Sequence, residues 1–159
     1  MAIVIADTSP LQYLFQVGLI DLLEGLFAAV QVPEAVRDEL RVGRSLGFDV
    51  PDPAEFPWML VRPTQPVPAV DRFELGAGER AALTLALESH DSLVVLDDGA
   101  ARAAAKQLGL STTGTLGLLP LGKEHRLVAA VAPVIARLEQ HGFRITEAVR
   151  RHILQLAGE

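Results

Sequence analysis

The chain has 159 residues, of which half are hydrophobic and 5% aromatic, and it carries a net charge of −6 and no cysteine. This length and composition predict a single domain, residues 1–159, with its own core, and they exclude a disordered chain. The lack of cysteine excludes a disulfide framework and a zinc–thiolate site, and it fits the reducing cytoplasm where we expect the protein. The acidic balance argues against broad electrostatic wrapping of nucleic acid, although bound cations would offset acids at a site.

No apolar run is long enough to span a bilayer, which takes roughly 20 residues. The longest run, residues 127–136, is interrupted by Pro133 and bounded by arginines. The first residues enter a predicted strand without a basic segment. We therefore expect no signal peptide and no membrane association.

The first half of the chain predicts strands alternating with helices. Short apolar runs predict strands at residues 3–6, 29–32 and 58–61, the last at a sheet edge. Helical spacing, with prolines at suitable starts and glycines as breakers, predicts helices at residues 10–17, 20–26 and 34–42. Glycines and prolines predict loops over residues 43–57 and again up to residue 70.

The second half of the chain predicts a more regular alternation. Strands are expected at residues 93–96 and 110–112, with a helical stretch after Thr115. Further helices are expected at residues 79–89, 100–108, 127–141 and 147–157. Strands that alternate with helices favour a mostly parallel sheet with helices on both faces, so the predicted fold class is α/β.

Acidic residues follow two of the predicted strands. Asp7 ends the first apolar run, and Asp97 and Asp98 end the run at 93–96. Because ligands in open α/β sheets bind beyond the carboxyl ends of the strands, these acids are candidates for one pocket. The alternative role for these acids is to cap the helices that follow the strands. For Asp7 this role is less needed, because the hydroxyl side chains of Thr8 and Ser9 can cap the next helix. Adjacent side chains at a strand end point in opposite directions, so only one of the aspartate pair is expected to enter the pocket.

Two further acids lie on predicted helices. Glu39 stands at the margin of an apolar stripe, and Glu79 occupies a first helical turn, where a carboxylate is favoured without any function. Alone, each is explained as a surface acid. As a set, carboxylates that converge at one sheet edge repel one another unless a cation is present, and an oxygen-only ligand set suits Mg²⁺ or Mn²⁺. Such ions activate water for attack on a phosphodiester.

Several short segments match one family in their order and spacing. They are residues 3–11, 32–36 with 39–40, 75–79, 94–98, 113–117 and 142–145. Over essentially its whole length the chain resembles the PIN-domain nucleases, and more closely a prokaryotic branch similar to the VapC-like toxins of toxin–antitoxin pairs. The resemblance implies an α/β/α sandwich around a parallel sheet. It also implies a Mg²⁺- or Mn²⁺-dependent phosphodiesterase that acts mainly on RNA.

The resemblance assigns roles to the acids position by position. It makes Asp7 the first-strand acid, Glu39 the helix acid and Asp98 the later-strand acid, and these three are the expected metal ligands. Glu79 matches an acid of this branch and is expected to join the catalytic set. Asp97 is the weaker match to the later-strand acid.

The leading hypothesis is therefore a metal-dependent ribonuclease with RNA as its substrate. Arg80, Arg102 and Lys106 are candidate contacts to the RNA backbone. A toxin-like protein implies a small antitoxin partner, and the apolar helices near both termini predict self-association as a homodimer.

The chain departs from the family pattern in ways that keep alternatives open. Near residues 113–115, where many relatives carry a further aspartate, only threonines and a glycine occur, and Leu96 replaces a usual threonine. A second hypothesis is a PIN-like binding module with degraded catalysis that acts through protein or RNA contacts. A third is a phosphohydrolase of the haloacid-dehalogenase type. That class needs a second aspartate at the position of Ser9, so it carries little weight.

Overall fold

Five parallel strands form one sheet in the computed structural model, which describes residues 2–159. They are β1 (Ile3–Ala6), β2 (Val30–Pro33), β3 (Met59–Arg62), β4 (Ser92–Val95) and β5 (Ser111–Thr113). Their spatial order is β3-β2-β1-β4-β5, and every neighbouring pair is parallel. The chain builds outwards from β1 and then returns to add β4 on its other side. The strand order therefore reverses between β1 and β4, where open α/β sheets bind their ligands.

Helices cover both faces of this sheet. They are α1 (Thr8–Gln16), α2 (Asp21–Phe27), α3 (Glu34–Ser45), α4 (Pro68–Asp71), α5 (Ala77–Leu87), α6 (Gly99–Gln107), α7 (Thr115–Glu124), α8 (Ala132–Gln140) and α9 (Glu147–Leu156), with a 3-10 turn at Pro53–Glu55. None of the helices formed by residues 2–159 has the length and apolar character needed to cross a membrane. The predicted α/β class, a parallel sheet between layers of helices, is confirmed.

Alternate residues of the central strands face two separate cores. Val4 and Ala6 belong to the larger core, with buried residues of α1, α2, α3, α7, α8 and α9. Ile5, between them, belongs to the smaller core, with buried residues of α5 and α6. This alternation is the two-residue period of a strand. Because both faces are buried, the strands appear in the sequence as unbroken apolar runs.

Helices α1 and α3 differ from the sequence prediction at one end each. Helix α1 begins at Thr8 and not at residue 10, so Asp7 occupies its N-cap position. Helix α3 continues past Gly43 and ends at Ser45, two residues before Gly47, which has a φ of +89°. A glycine inside a helix costs only about 1 kcal/mol, which the packing of buried residues on α3 outweighs. Of Gly43 and Gly47, only Gly47 adopts the left-handed backbone that terminates a helix.

The prediction of a helix over residues 127–141 was wrong for its first turn. Helix α8 begins at Ala132, where the side chain of Glu159 supplies hydrogen-bond acceptors. The backbone N–H groups of Val131 and Ala132 donate to its two oxygens at 2.7 and 3.1 Å, and Lys123 donates at 2.9 Å. These contacts lower the pKa of Glu159 to about 2. The helix start thus depends on a residue 27 positions away, which local sequence does not reveal.

Candidate functional site

The carboxyl ends of β1 and β4 lie side by side. Ala6 is opposite Val95, and the backbone N–H of Asp7 donates to the Val95 carbonyl at 3.0 Å. The next strand continues the ladder, since the Leu96 N–H donates to the Thr113 carbonyl at 2.8 Å. This register brings the acids that follow β1 and β4 to one edge of the sheet, as the sequence predicted for a parallel arrangement.

Asp7 is a buried carboxylate with incomplete hydrogen bonding. It is 4% exposed, and its side chain does not cap α1 although it holds the N-cap position. Within residues 2–159, its Oδ1 atom has no hydrogen-bond partner. Burial of such a group is costly unless a partner compensates it. Helix capping therefore does not explain this residue, and a cation bound beside it would compensate the unpartnered oxygen.

Glu39 and Asp7 approach each other across Gly78, the second residue of α5. A Cβ atom on Gly78 would lie 2.1 Å from Glu39 Oε1 and 3.2 Å from Asp7 Oδ1. Any side chain at this position would collide with the Glu39 carboxylate. The hydroxyl of Thr8 donates to Glu39 Oε1 at 2.6 Å and orients it. Glycine at position 78 and threonine at position 8 thus allow the two carboxylates to share one small space.

Glu79 lies in the first turn of α5, on the side of the site that this helix forms. Its Oε2 accepts a hydrogen bond from the Gly76 N–H at 3.1 Å, so part of its role is to close the first turn of α5. Partial burial, followed by the charges of Asp98 and Glu39, raises the pKa of Glu79, while the Gly76 N–H opposes the rise. Glu79 is therefore electrostatically coupled to the acids on both sides of it.

The two aspartates after β4 have different environments. Asp98 is the N-cap of α6, and its Oδ2 accepts from the Ala101 N–H at 2.9 Å. Asp97 is half-buried, and its two oxygens accept from the N–H and the hydroxyl of Thr115 at 2.8 and 2.7 Å. Desolvation raises the pKa of Asp97 despite these bonds and the nearby charge of Arg102. Asp98 thus has the capping role, and its place among the metal ligands remains a prediction.

The pKa of Asp7 reflects the whole cluster. Desolvation and, to a smaller extent, the charges of Glu79, Glu39 and Asp97 together raise it from 3.8 to about 7, against the opposing effect of the Thr8 backbone N–H. A carboxyl group in this state is partly protonated at neutral pH. A bound cation would favour its charged form, because an opposite charge within a few ångströms lowers an acid's pKa.

Two cavities meet at the cluster. The larger, of about 610 Å³, is lined by Asp7 and Glu39 together with Thr8, Asp38 and Val42. The smaller, of about 350 Å³, is lined by Asp97, Asp98, Tyr13, Phe143 and Arg144. Both cavities are also lined by Ser9 and Glu79. Asp7 and Glu39 therefore line one cavity, Asp97 and Asp98 line the adjacent one, and Glu79 lines both.

The donor set fits a divalent cation only in part. Among residues 2–159, no three acidic or histidine side chains converge closely enough to form a complete metal site. Asp7 and Glu39 do converge, and one Asp7 oxygen has no other partner. Mg²⁺ is commonly bound by one or two carboxylates, with waters and substrate phosphates completing its shell. The two carboxylates can hold such an ion as a partial site.

The cations proposed from the sequence lie outside both cavities. Arg80 lines a different cavity, which shares Ala35 and Ala77 with the larger cavity of the site. The guanidinium of Arg102 lies beside Asp97, next to Gly114, and Lys106 lies in the last turn of α6. Sequence reasoning also missed Thr8 and Gly78 as parts of the site. The only signal for them was their position next to a predicted acid.

A family model described as a PIN domain matches residues 3–159. The match covers nearly the whole chain and includes all five acids at the sheet edge. No curated protein matches the sequence at a significant level. The parallel five-stranded sheet between helices agrees with this match. The chain therefore belongs to the PIN-domain family.

Proposed function

We propose that the protein is a divalent-metal-dependent ribonuclease with its centre at Asp7 and Glu39. PIN domains are typically nucleases and generally use divalent metal ions. One observation carries the assignment to this site: the buried Asp7 carboxylate has an unpartnered oxygen that faces Glu39 across Gly78. RNA as the substrate, a toxin role with a small antitoxin, and a homodimer are parts of the proposal that rest on the likeness to VapC-like proteins and on the apolar terminal helices.

The residues of the site have distinct roles in this proposal. Asp7 supplies a fixed carboxylate, because its backbone belongs to the sheet edge and its side chain is buried. Glu39 supplies a second carboxylate, oriented by the Thr8 hydroxyl. Gly78 leaves the space that both require, and Glu79 and Asp98 line the path of the substrate. When bound, the metal ion would activate water and offset charge that develops on the phosphodiester.

The direct test of the pair compares two neighbouring acids on α3. Glu39→Gln keeps an acceptor for Thr8 but removes the charge. We expect it to lower the initial rate of Mn²⁺-dependent cleavage of single-stranded RNA by roughly 100-fold, since even outer-shell partners of bound metals contribute 10–100-fold. Asp38→Asn is the matched control, because Asp38 lines the same cavity but pairs with Arg37 and Arg41 at 3.1 and 3.2 Å. Equal rates for the two variants would contradict the proposed role of Glu39.

A binding module without catalysis is the second candidate. It is favoured by the incomplete convergence of acids among residues 2–159 and by the net charge of −6. It differs from the nuclease in one measurable respect. A binding module leaves RNA intact both in Mn²⁺ and after EDTA is added. The nuclease cleaves RNA in Mn²⁺ and loses this activity in EDTA.

A further inference from the structure

Arg144 is a cation placed among the acids of the smaller cavity. It lies in the loop between α8 and α9 and shares the cavity with Glu79, Asp97 and Asp98. In the described part of the chain, it is the only arginine or lysine that lines either cavity of the site. Residues 2–159 contain several salt bridges, and none of them involves Arg144. Its guanidinium is therefore available to a ligand.

The turn that carries Arg144 has a defined geometry. Gly142 adopts a φ of +90°, the left-handed conformation that favours glycine, and the Phe143 N–H donates to the Leu138 carbonyl at 3.0 Å. The Phe143 ring packs edge-on against Tyr13 of α1, with ring centroids 4.9 Å apart. Since α1 begins directly after Asp7, this contact ties the turn to the helix that follows the first acid. Arg144 thus has a fixed backbone position beside the site and an exposed side chain.

Charge and shape determine what this arginine would bind. The acids of the cluster repel a polyanion, so a substrate with phosphates needs a compensating cation near them. The planar guanidinium of arginine matches a phosphate with two parallel hydrogen bonds. The cavity beside it, about 350 Å³, lies at the lower end of the range for small-ligand sites, which suits a single nucleotide better than a duplex.

We propose that Arg144 binds a backbone phosphate of a single-stranded nucleic acid next to the cleavage site. The proposal rests on the proposed function, because the same strand places its scissile phosphodiester at Asp7 and Glu39. The two cavities are adjacent, since Ser9 and Glu79 line both, and in this arrangement the strand runs from one to the other. Arg144 is a substrate-binding residue in this arrangement, and it replaces the backbone contacts that the sequence placed on α5 and α6.

The test measures binding and not cleavage. In an Asp7→Asn background, a fluorescein-labelled single-stranded RNA is titrated with protein in EDTA, and its anisotropy gives Kd at several salt concentrations. Adding Arg144→Gln is expected to raise Kd roughly tenfold, as for the loss of a charge-assisted hydrogen bond. It is also expected to reduce the slope of log Kd against log salt by about 0.7. Arg144→Lys keeps the charge but loses the planar guanidinium. Its Kd is therefore expected to lie between those of the Asp7→Asn parent and the Arg144→Gln variant.

Arg151→Gln in the same background is the matched control. Arg151 is exposed on α9, lines neither cavity, and carries the same charge. It is expected to leave Kd within about twofold of the parent, because surface charges remote from a phosphate contribute little. Equal Kd values for the Arg144 and Arg151 variants, or no RNA binding by the parent, would overturn the proposal. Failure of the proposed function is seen separately, as RNA that the wild type leaves intact in Mn²⁺ while the effect of Arg144 on binding persists.

Discussion

Asp7→Asn is expected to lower the Mn²⁺-dependent rate of RNA cleavage by roughly 10²- to 10³-fold. Loss of one preorganised electrostatic group in an active site costs up to about this factor, and Asp7 is the most buried acid of the cluster. Asparagine has nearly the same shape, so the backbone contact to Val95 and the start of α1 are preserved. The loss would therefore come from the missing charge and not from a rearranged site.

The measurement is an initial rate for both proteins, purified in parallel, with a labelled single-stranded RNA in saturating Mn²⁺. Circular dichroism checks that the variant is folded. A variant rate within about tenfold of the wild type would mean that cleavage does not depend on Asp7.

The same substitution is expected to stabilise the metal-free protein at about pH 8, by up to about 4 kcal/mol. In the folded chain the pKa of Asp7 is raised from 3.8 to about 7, chiefly by burial. The folded state therefore holds this proton between about pH 4 and pH 7, where the unfolded chain has released it. Stability is highest below this window and falls as the pH rises through it. Asparagine is neutral throughout and avoids the loss.

Urea unfolding in EDTA at about pH 4 and about pH 8 tests this expectation. The free energies of unfolding of the variant and the wild type should differ little at about pH 4. At about pH 8 the variant should have the larger free energy of unfolding. Added Mn²⁺ should reduce this difference in stability at about pH 8. The ion stabilises only a protein that binds it, which is the wild type. A stability difference between the two proteins that is the same at both pH values would contradict the assigned environment of Asp7. So would a wild type that is more stable than the variant at about pH 8.

The location of the site could be predicted from the sequence because it depends on local patterns. An apolar run that ends in an acid predicts a buried strand with a carboxylate at its end, and parallel strands bring such ends together. This reasoning placed Asp7 and the acids after β4 at one edge, where the structure has them. The alternation of side chains left open which of Asp97 and Asp98 enters the site, and only the resemblance to the PIN-domain nucleases selected Asp98, a choice that stays a prediction.

The finer geometry could not be predicted because it depends on contacts between distant segments. Gly78 matters since α5 passes against Glu39 of α3, and the sequence marked it only by its position next to Glu79. Arg144 reaches the acids through the packing of Phe143 on Tyr13, two residues far apart in the chain. The sequence instead placed phosphate contacts on α5 and α6, which carry cations but direct none of them into the two cavities.

Stability and the proposed activity are expected to oppose each other at this site. A buried carboxylate without a partner weakens the metal-free fold, and the same property makes it a strong anchor for a cation. Active sites commonly show this trade-off. Asp7→Asn separates the two effects in a single protein, since it is expected to gain stability and lose activity.

Isothermal titration calorimetry with MnCl₂ at about pH 8 tests the central claim most directly, because it measures the metal at Asp7 without any substrate. The wild type is expected to bind Mn²⁺ with a measurable heat, and Asp7→Asn is expected to lose that binding. Asp38→Asn, on the same cavity wall, is expected to behave as the wild type. Equal Mn²⁺ binding by the wild type and Asp7→Asn, or no binding by either, would contradict a metal-dependent site built on Asp7.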